Sequence, residues 1–220
     1  MAGRAGRRAR AGGQGRPAGG GAPAAVGQAT VREQLGAAVG GLPRLTGPHF
    51  GYPGERPAGA DWPTAYGAII AALLADAADR AVPLPPGIGT LAARHHAALA
   101  MVTRPALLHF DLWDGNVQAA DGRLTGLVDG ERFLWGDPLL DLVSPALFRR
   151  IEDEPGNPFL RGYTAATGLE LDDAARTRLG LCRVHLYVLM PAEGPSRGIP
   201  VGGARHDYLT GLLEAELRDL

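Results

Sequence analysis

Apolar positions along the chain fall into helical spacing before they do anything else. Val31, Leu35, Ala38 and Val39 form one face behind Thr30, with Glu33 three residues after it. That is the arrangement of a capping box, and it predicts a helix beginning at Thr30. Residues 43–63 are rich in Pro, Gly and aromatic residues and read as an ordered loop. Pro63 or Thr64 then opens a second helix carrying Ile69, Ile70, Leu73 and Leu74, and a third is expected from Thr90 to about Val102. The short apolar run Ala106 to His109 reads as a buried strand. Asn116 to Ala119 and Leu124 to Val128 flank Asp121-Gly122, a hairpin signal. Helical patterns return after Pro138, at 157–166, from Asp172 to Met190, and from Arg205 to the end. The fold class predicted is α+β, mainly helical, with a short central β-hairpin and no internal repeat.

The first 28 residues break this pattern. Gly, Ala and Arg fill 22 of them, with five Arg and no acid. Such a segment buries too little apolar surface to offset its ordering entropy, so residues 1–28 are expected to be a disordered tail and 29–220 the folded domain. A basic arm for nucleic acid is the functional alternative, and a plain tail is favoured because no aromatic residue accompanies the arginines. The formal net charge of the whole chain is -1, which gives no general bias towards nucleic acid or an acidic membrane. No apolar run reaches the ~18–20 residues of a membrane span, since Arg183 and His185 interrupt the longest one. The single cysteine, Cys182, excludes an intramolecular disulfide. A cytoplasmic protein follows as the expectation, without nucleic-acid or membrane partners.

Chemistry concentrates in residues 107–141, LLHFDLWDGNVQAADGRLTGLVDGERFLWGDPLLD. A strand delivers His109 and Asp111 to a loop, Asn116 stands where the hairpin begins, and Asp129 stands where it ends. The two ends of an antiparallel pair meet in space, so Asp111, Asn116 and Asp129 are expected to converge. Phosphoryl transfer needs such a set: a carboxylate to accept the proton of the attacking hydroxyl, and oxygen ligands to hold Mg²⁺ against nucleotide phosphates. Asp111 suits the base, Asn116 and Asp129 the metal. His109, Asp111, Leu112 and Asn116 also keep the spacing of the kinase catalytic loop. A lone Asp after a strand is usually a cap or turn residue, and that reading is preferred for Asp121, Asp137 and Asp141. His109 is read as support for the loop. His95-His96 lack a third ligand for zinc, Gly87-Ile88-Gly89 follows two prolines instead of a strand, and Trp113 and Trp135 are expected in the core.

With Gly115, Val117, Val128, Gly136-Asp137-Pro138 and Asp141-Leu142 added, the segment resembles the aminoglycoside phosphotransferase and fructosamine kinase-like group. Phe110, Asp114 and Gly130 depart from the common Gly, Pro and aromatic residue, and none of these changes removes a catalytic atom. The resemblance implies the C-terminal lobe of a protein-kinase-like phosphotransferase. It implies ATP and Mg²⁺ as cofactors and a hydroxyl of a small molecule, such as an aminoglycoside or amino sugar, as acceptor. Asp111 would be catalytic, Asn116 and Asp129 would hold the metal, and His109 and Asp137 would support the site. The acceptor pocket is expected among the C-terminal helices. Glu152, Asp153 and Glu154 could attract a cation there, although a solvated acidic turn is the preferred account of that run.

All 22 basic residues are Arg, and the sequence contains no Lys. In enzymes of this kind a strand Lys in a small N-terminal β lobe pairs with the nucleotide phosphates. Such a lobe needs on the order of 60 residues, and only about 28 precede Thr30. The N-terminal lobe is therefore expected to be absent. The chain would be a truncated or mis-started enzyme, would work with a separate lobe in trans, or would be a non-catalytic pseudokinase-like module that binds a metabolite or partner; the first is preferred, because Asp111, Asn116 and Asp129 are all kept. On this reading the chain alone transfers phosphate poorly.

Overall fold

The computed structural model describes residues 25–220; the expected tail lies almost wholly outside these described residues. The first helix, α1 (Ala25–Val39), begins five residues before Thr30. Thr30 is therefore within the helix and does not cap it, and Glu33 pairs with Arg161 at 2.9 Å. A short antiparallel hairpin follows, β1 (Phe50–Gly51) and β2 (Ala58–Gly59), inside the stretch expected to be loop. Helix α2 (Trp62–Asp79) opens where Asp61 accepts a hydrogen bond from Thr64 N at 2.8 Å, with Pro63 in the first turn. The expected third helix is two single turns, α3 (Leu91–Arg94) and α4 (His96–Leu99), broken at His95.

Strand β3 (Ala106–Leu108) leads into the chemistry-bearing segment. The hairpin β4 (Val117–Ala120) and β5 (Arg123–Leu127) turns at Asp121 (φ 50°) and Gly122 (φ 73°). Two positive φ values are what a type I′ turn requires, so the Asp-Gly signal has its physical reason. Strand β6 (Leu134–Gly136), which no periodicity marks, returns between β1 and β3, making an antiparallel sheet of order β2-β1-β6-β3. The pattern after Pro138 is a 3₁₀ segment, Pro138–Leu142. Three helices complete the fold: α5 (Pro158–Thr167), α6 (Asp173–Glu193) and α7 (Ala204–Asp219). Among the described residues no helix is long and apolar enough to cross a membrane.

Helix α6 is the axis of the core. From Leu179 to Leu189 every residue is buried, so it carries no polar face, and its two basic members, Arg183 and His185, are enclosed in the core. Arg183 finds partners there: Nη1 lies 2.7 Å from Glu152 Oε1. Its Nε lies 2.9 Å from Glu216 Oε1, an ion pair whose angle falls short of a hydrogen bond. His185 finds none for either ring nitrogen and packs instead against the Phe110 ring at 4.7 Å. Burial pushes its pKa down to about 3, with Arg132 adding to the effect.

Helices α1 and α5 touch backbone to backbone. A Cβ at Gly36 would lie 2.0 Å from Phe159 O, and one at Gly162 would lie 1.9 Å from Glu33 O. Neither carbonyl can yield without separating the helices. Gly162→Ala is expected to cost about 3 kcal/mol in urea denaturation, at the upper end for overpacking and despite the better helix propensity of Ala. Gly211, in α7, has nothing within 4 Å of such a Cβ. Gly211→Ala should stabilise by roughly 0.5–1 kcal/mol. Equal effects at the two positions would show that the close approach is not what requires glycine.

Candidate active site

The loop after β3 is shaped by a carboxylate beneath it. Asp141 is buried and accepts hydrogen bonds from Phe110 N (2.7 Å) and His109 N (3.1 Å), one on each oxygen. Ser144 Oγ accepts from Leu112 N at 3.0 Å. These bonds hold Phe110 at φ 64°, a left-handed conformation that costs a residue with a Cβ about 1–2 kcal/mol. Burial of the Phe110 ring against His185 offsets that cost, which explains how a bulky residue stands where the resembled family has Gly.

Burial raises the Asp141 pKa to about 6, opposed by the two amide hydrogen bonds. A group whose folded pKa lies above its unfolded value contributes most below the unfolded pKa, and the contribution is lost as pH rises through the folded one. Relative to Asp141→Asn, the protein should therefore gain on the order of 1 kcal/mol between pH 7 and pH 5. The Asp141 carboxyl carbon should titrate near 6 by NMR. A midpoint near 4 would contradict this account.

His109 joins the two halves of the site. Its Nδ1 accepts from Asp111 N at 3.3 Å, so the ring proton sits on Nε2 and serves the Val128 carbonyl. Burial holds the imidazole below its ordinary pKa, against the pull of that bond and of the Asp111 and Asp129 charges. Asn116 is buried and donates from Nδ2 to Asp111 O at 2.9 Å, while its backbone carbonyl accepts from Val128 N at 3.0 Å. The structure thus brings residues 109, 111, 116 and 129 to one place. Asp129 is exposed, with φ 61°, where β5 gives way to the 3₁₀ turn Gly130–Arg132. Asp137 lies apart from this group. It is fully buried, caps the 3₁₀ segment by accepting from Leu139 N, and takes Arg178 Nη1 at 3.0 Å on both oxygens.

Among the described residues no three His, Cys, Asp or Glu side chains are grouped to hold a metal unaided. Among the described residues neither Asn116 Oδ1 nor the Asp129 carboxylate has a hydrogen-bond or salt-bridge partner, and Asp129 acts on His109 only through its charge. Two hard oxygen donors from a neutral amide and a carboxylate fit Mg²⁺ that draws its remaining ligands from phosphate and water.

Sequence reasoning missed Arg132. Its Nε lies 3.6 Å from Asp111 Oδ2, and its two terminal nitrogens grip Glu193 at 3.1 and 2.6 Å. Its position three residues beyond Asp129 was the available signal. Trp113, expected in the core, is 54% exposed and lines a cavity of about 210 Å³ with Asp111, Phe110 and Arg132. The far wall of that cavity comes from the end of α6 and the start of α7: Leu186, Leu189, Met190, Arg197, Ile199 and Arg205. The acidic run is placed elsewhere. Glu152 is buried on Arg183, Asp153 pairs with Arg176 at 3.2 Å, and Glu154 pairs with Arg149 at 2.9 Å. Only Glu152 is a buried structural pair; Asp153 and Glu154 stay at the surface in ion pairs, as a solvated turn would have them, and the run does not line the cavity.

Comparison with known proteins agrees with this geometry. The phosphotransferase enzyme family (APH) is matched over residues 11–180. Two crystal structures share the fold, both of proteins assigned as fructosamine-3-kinases. One is from Thermobifida fusca, with 24% identity and TM-score 0.62 over 86% of this chain and 66% of that one. The other is from Haemophilus somnus, with 16% identity and TM-score 0.65 over 86% of this chain and 64% of that one. The chain thus spans just under two thirds of their length. Among curated proteins nothing matches.

Proposed function

Since this chain belongs to the phosphotransferase enzyme family, we propose that its site serves ATP- and Mg²⁺-dependent transfer of a phosphoryl group to a hydroxyl of a small molecule. The observation that carries the reading is the placement of Asp111 at the mouth of the 210 Å³ cavity, backed by Asn116 and Asp129. The Asp111 carboxylate accepts the hydroxyl proton as the acceptor oxygen bonds to the terminal phosphorus and the bond to the nucleoside diphosphate breaks. Mg²⁺, held through Asn116 Oδ1 and Asp129, would supply neutralising charge at the phosphates. His109 contributes by fixing the Asp111 amide and the Val128 carbonyl with one neutral ring.

The chain has no Lys, so cationic contacts to phosphate from its own side chains fall to Arg. A separate N-lobe acting in trans is the partner this composition suggests. The test is single-turnover transfer from labelled ATP to hydroxyl acceptors, amino sugars and aminoglycosides included. It is run with and without the N-terminal third of either fructosamine-3-kinase-assigned relative. Transfer to at least one acceptor, improved by the added lobe, is expected. Binding of acceptor without transfer under both conditions would favour the reading of a non-catalytic metabolite-binding module.

A further inference from the structure

The cavity beside Asp111 has a charge that a polycationic acceptor does not match. Three guanidinium groups, Arg132, Arg197 and Arg205, line or rim it. They face two carboxylates: Asp111, which lies 3.6 Å from Arg132, and Glu193, which Arg132 and Arg197 share at 2.6 and 3.1 Å. Three positive groups against two negative ones leave a net charge of one, and its seat is identifiable. Arg205 is exposed at the start of α7 and has no acidic partner among the described residues.

Apart from Ser144, whose hydroxyl accepts from Leu112 N, the rest of the cavity is apolar. Leu147, Leu186, Leu189, Met190 and Ile199 make one side. Trp113 makes another, its ring seated so closely on Gly115 that a Cβ there would lie 2.2 Å from it. The indole therefore rests on the Gly115 backbone while more than half of it stays exposed. About 210 Å³ is also less than the ~300 Å³ at which drug-sized sites begin.

We infer that the acceptor subsite takes a small hydroxylated molecule bearing a carboxylate or phosphate, its anionic group on Arg205, its carbon skeleton against Trp113, and its hydroxyl at Asp111. This rests on the phosphotransferase reading for the role of Asp111. A guanidinium with no protein counter-ion gains a charge-assisted contact when the anion arrives, and no existing ion pair need break. A multi-ring amine would bring ammonium groups against three arginines and exceed the space.

The test uses the 220-residue protein and four linear six-carbon polyols: gluconate, sorbitol 6-phosphate, uncharged sorbitol and the amine glucamine. Binding is followed without nucleotide through the Trp113 indole and Arg205 Nε–H resonances, assigned with Trp113→Phe and Arg205→Gln. At least one acid should shift both resonances saturably, about tenfold or more tighter than sorbitol or glucamine. The two acids separate carboxylate from phosphate preference. Arg205→Glu should abolish the preference and Arg205→Gln should weaken it. Exposure of this side chain makes misfolding an unneeded worry, and circular dichroism checks it.

Equal or tighter binding of glucamine, no saturable shift with either acid, or an Arg205→Glu variant indistinguishable from the parent would overturn the inference. Displacement of the acid by added ATP would do the same, since the arginines would then belong to the nucleotide. These outcomes are independent of turnover. Phosphate transfer to an amine acceptor with no anion binding sinks only this inference. Anion binding with no transfer to any acceptor, with or without the added lobe, sinks only the phosphotransferase reading.

Discussion

Asp111→Asn should lower single-turnover phosphate transfer by on the order of 10²–10⁴, the range for loss of a positioned general base. Nucleotide affinity and thermal unfolding should change little. The Asp111 side chain makes one ion pair, to Arg132 at 3.6 Å, and is 29% exposed, so its removal leaves no buried charge stranded. The backbone of residue 111 keeps its place, because its N–H bonds His109 and its carbonyl bonds Asn116. Asp129→Ala should behave differently and weaken Mg²⁺-dependent ATP binding in calorimetry. If the two variants lose rate and nucleotide affinity in parallel, the division into base and metal ligand is wrong.

Arg183→Met should be the most destabilising substitution outside the site, by about 3–5 kcal/mol in urea denaturation. The methionine fills similar space in α6 but leaves Glu152 and Glu216 as buried carboxylates, with only Arg150 still beside Glu216 at 3.1 Å. A loss below about 1 kcal/mol would mean that the pair contributes little beyond replacing its own desolvation.

Local chemistry made part of this molecule legible from its sequence. Asp121-Gly122 specified a turn because both residues tolerate positive φ, and the catalytic spacing specified a loop because strand and hairpin ends must meet. What escaped lacked a local signature. Strands β1, β2 and β6 have two or three residues each, too few for alternation to register. Thr30 and Glu33 had the spacing of a cap but lie inside α1, where Glu33 faces Arg161 of α5, 128 residues away. Helix α6 showed arginine and histidine in an apolar run. Only the fold reveals that one is neutralised by distant glutamates and the other is packed under the catalytic loop. The pocket arginines were equally hidden, since 132, 197 and 205 meet only after the chain has closed.

The origin of the two halves of the cavity has a consequence for how such a protein can diversify. The groups proposed to react come from residues 109–129 and are held by side-chain bonds from His109, Asn116 and Asp141 to the main chain. The opposite wall of the cavity comes from the end of α6 and from the turn at 194–203, between α6 and α7, which carries Arg197 and Ile199 and leads to Arg205. Those residues are mostly surface residues, bonded to one another and to the end of α6 instead of to the reacting loop. Small insertions or deletions in that connection away from Arg197, which reaches Asp111 through Glu193 and Arg132, should therefore leave the groups it faces in place. The molecule behaves as a fixed tool with an interchangeable jaw, and grafting that segment between relatives is the economical route to a new acceptor.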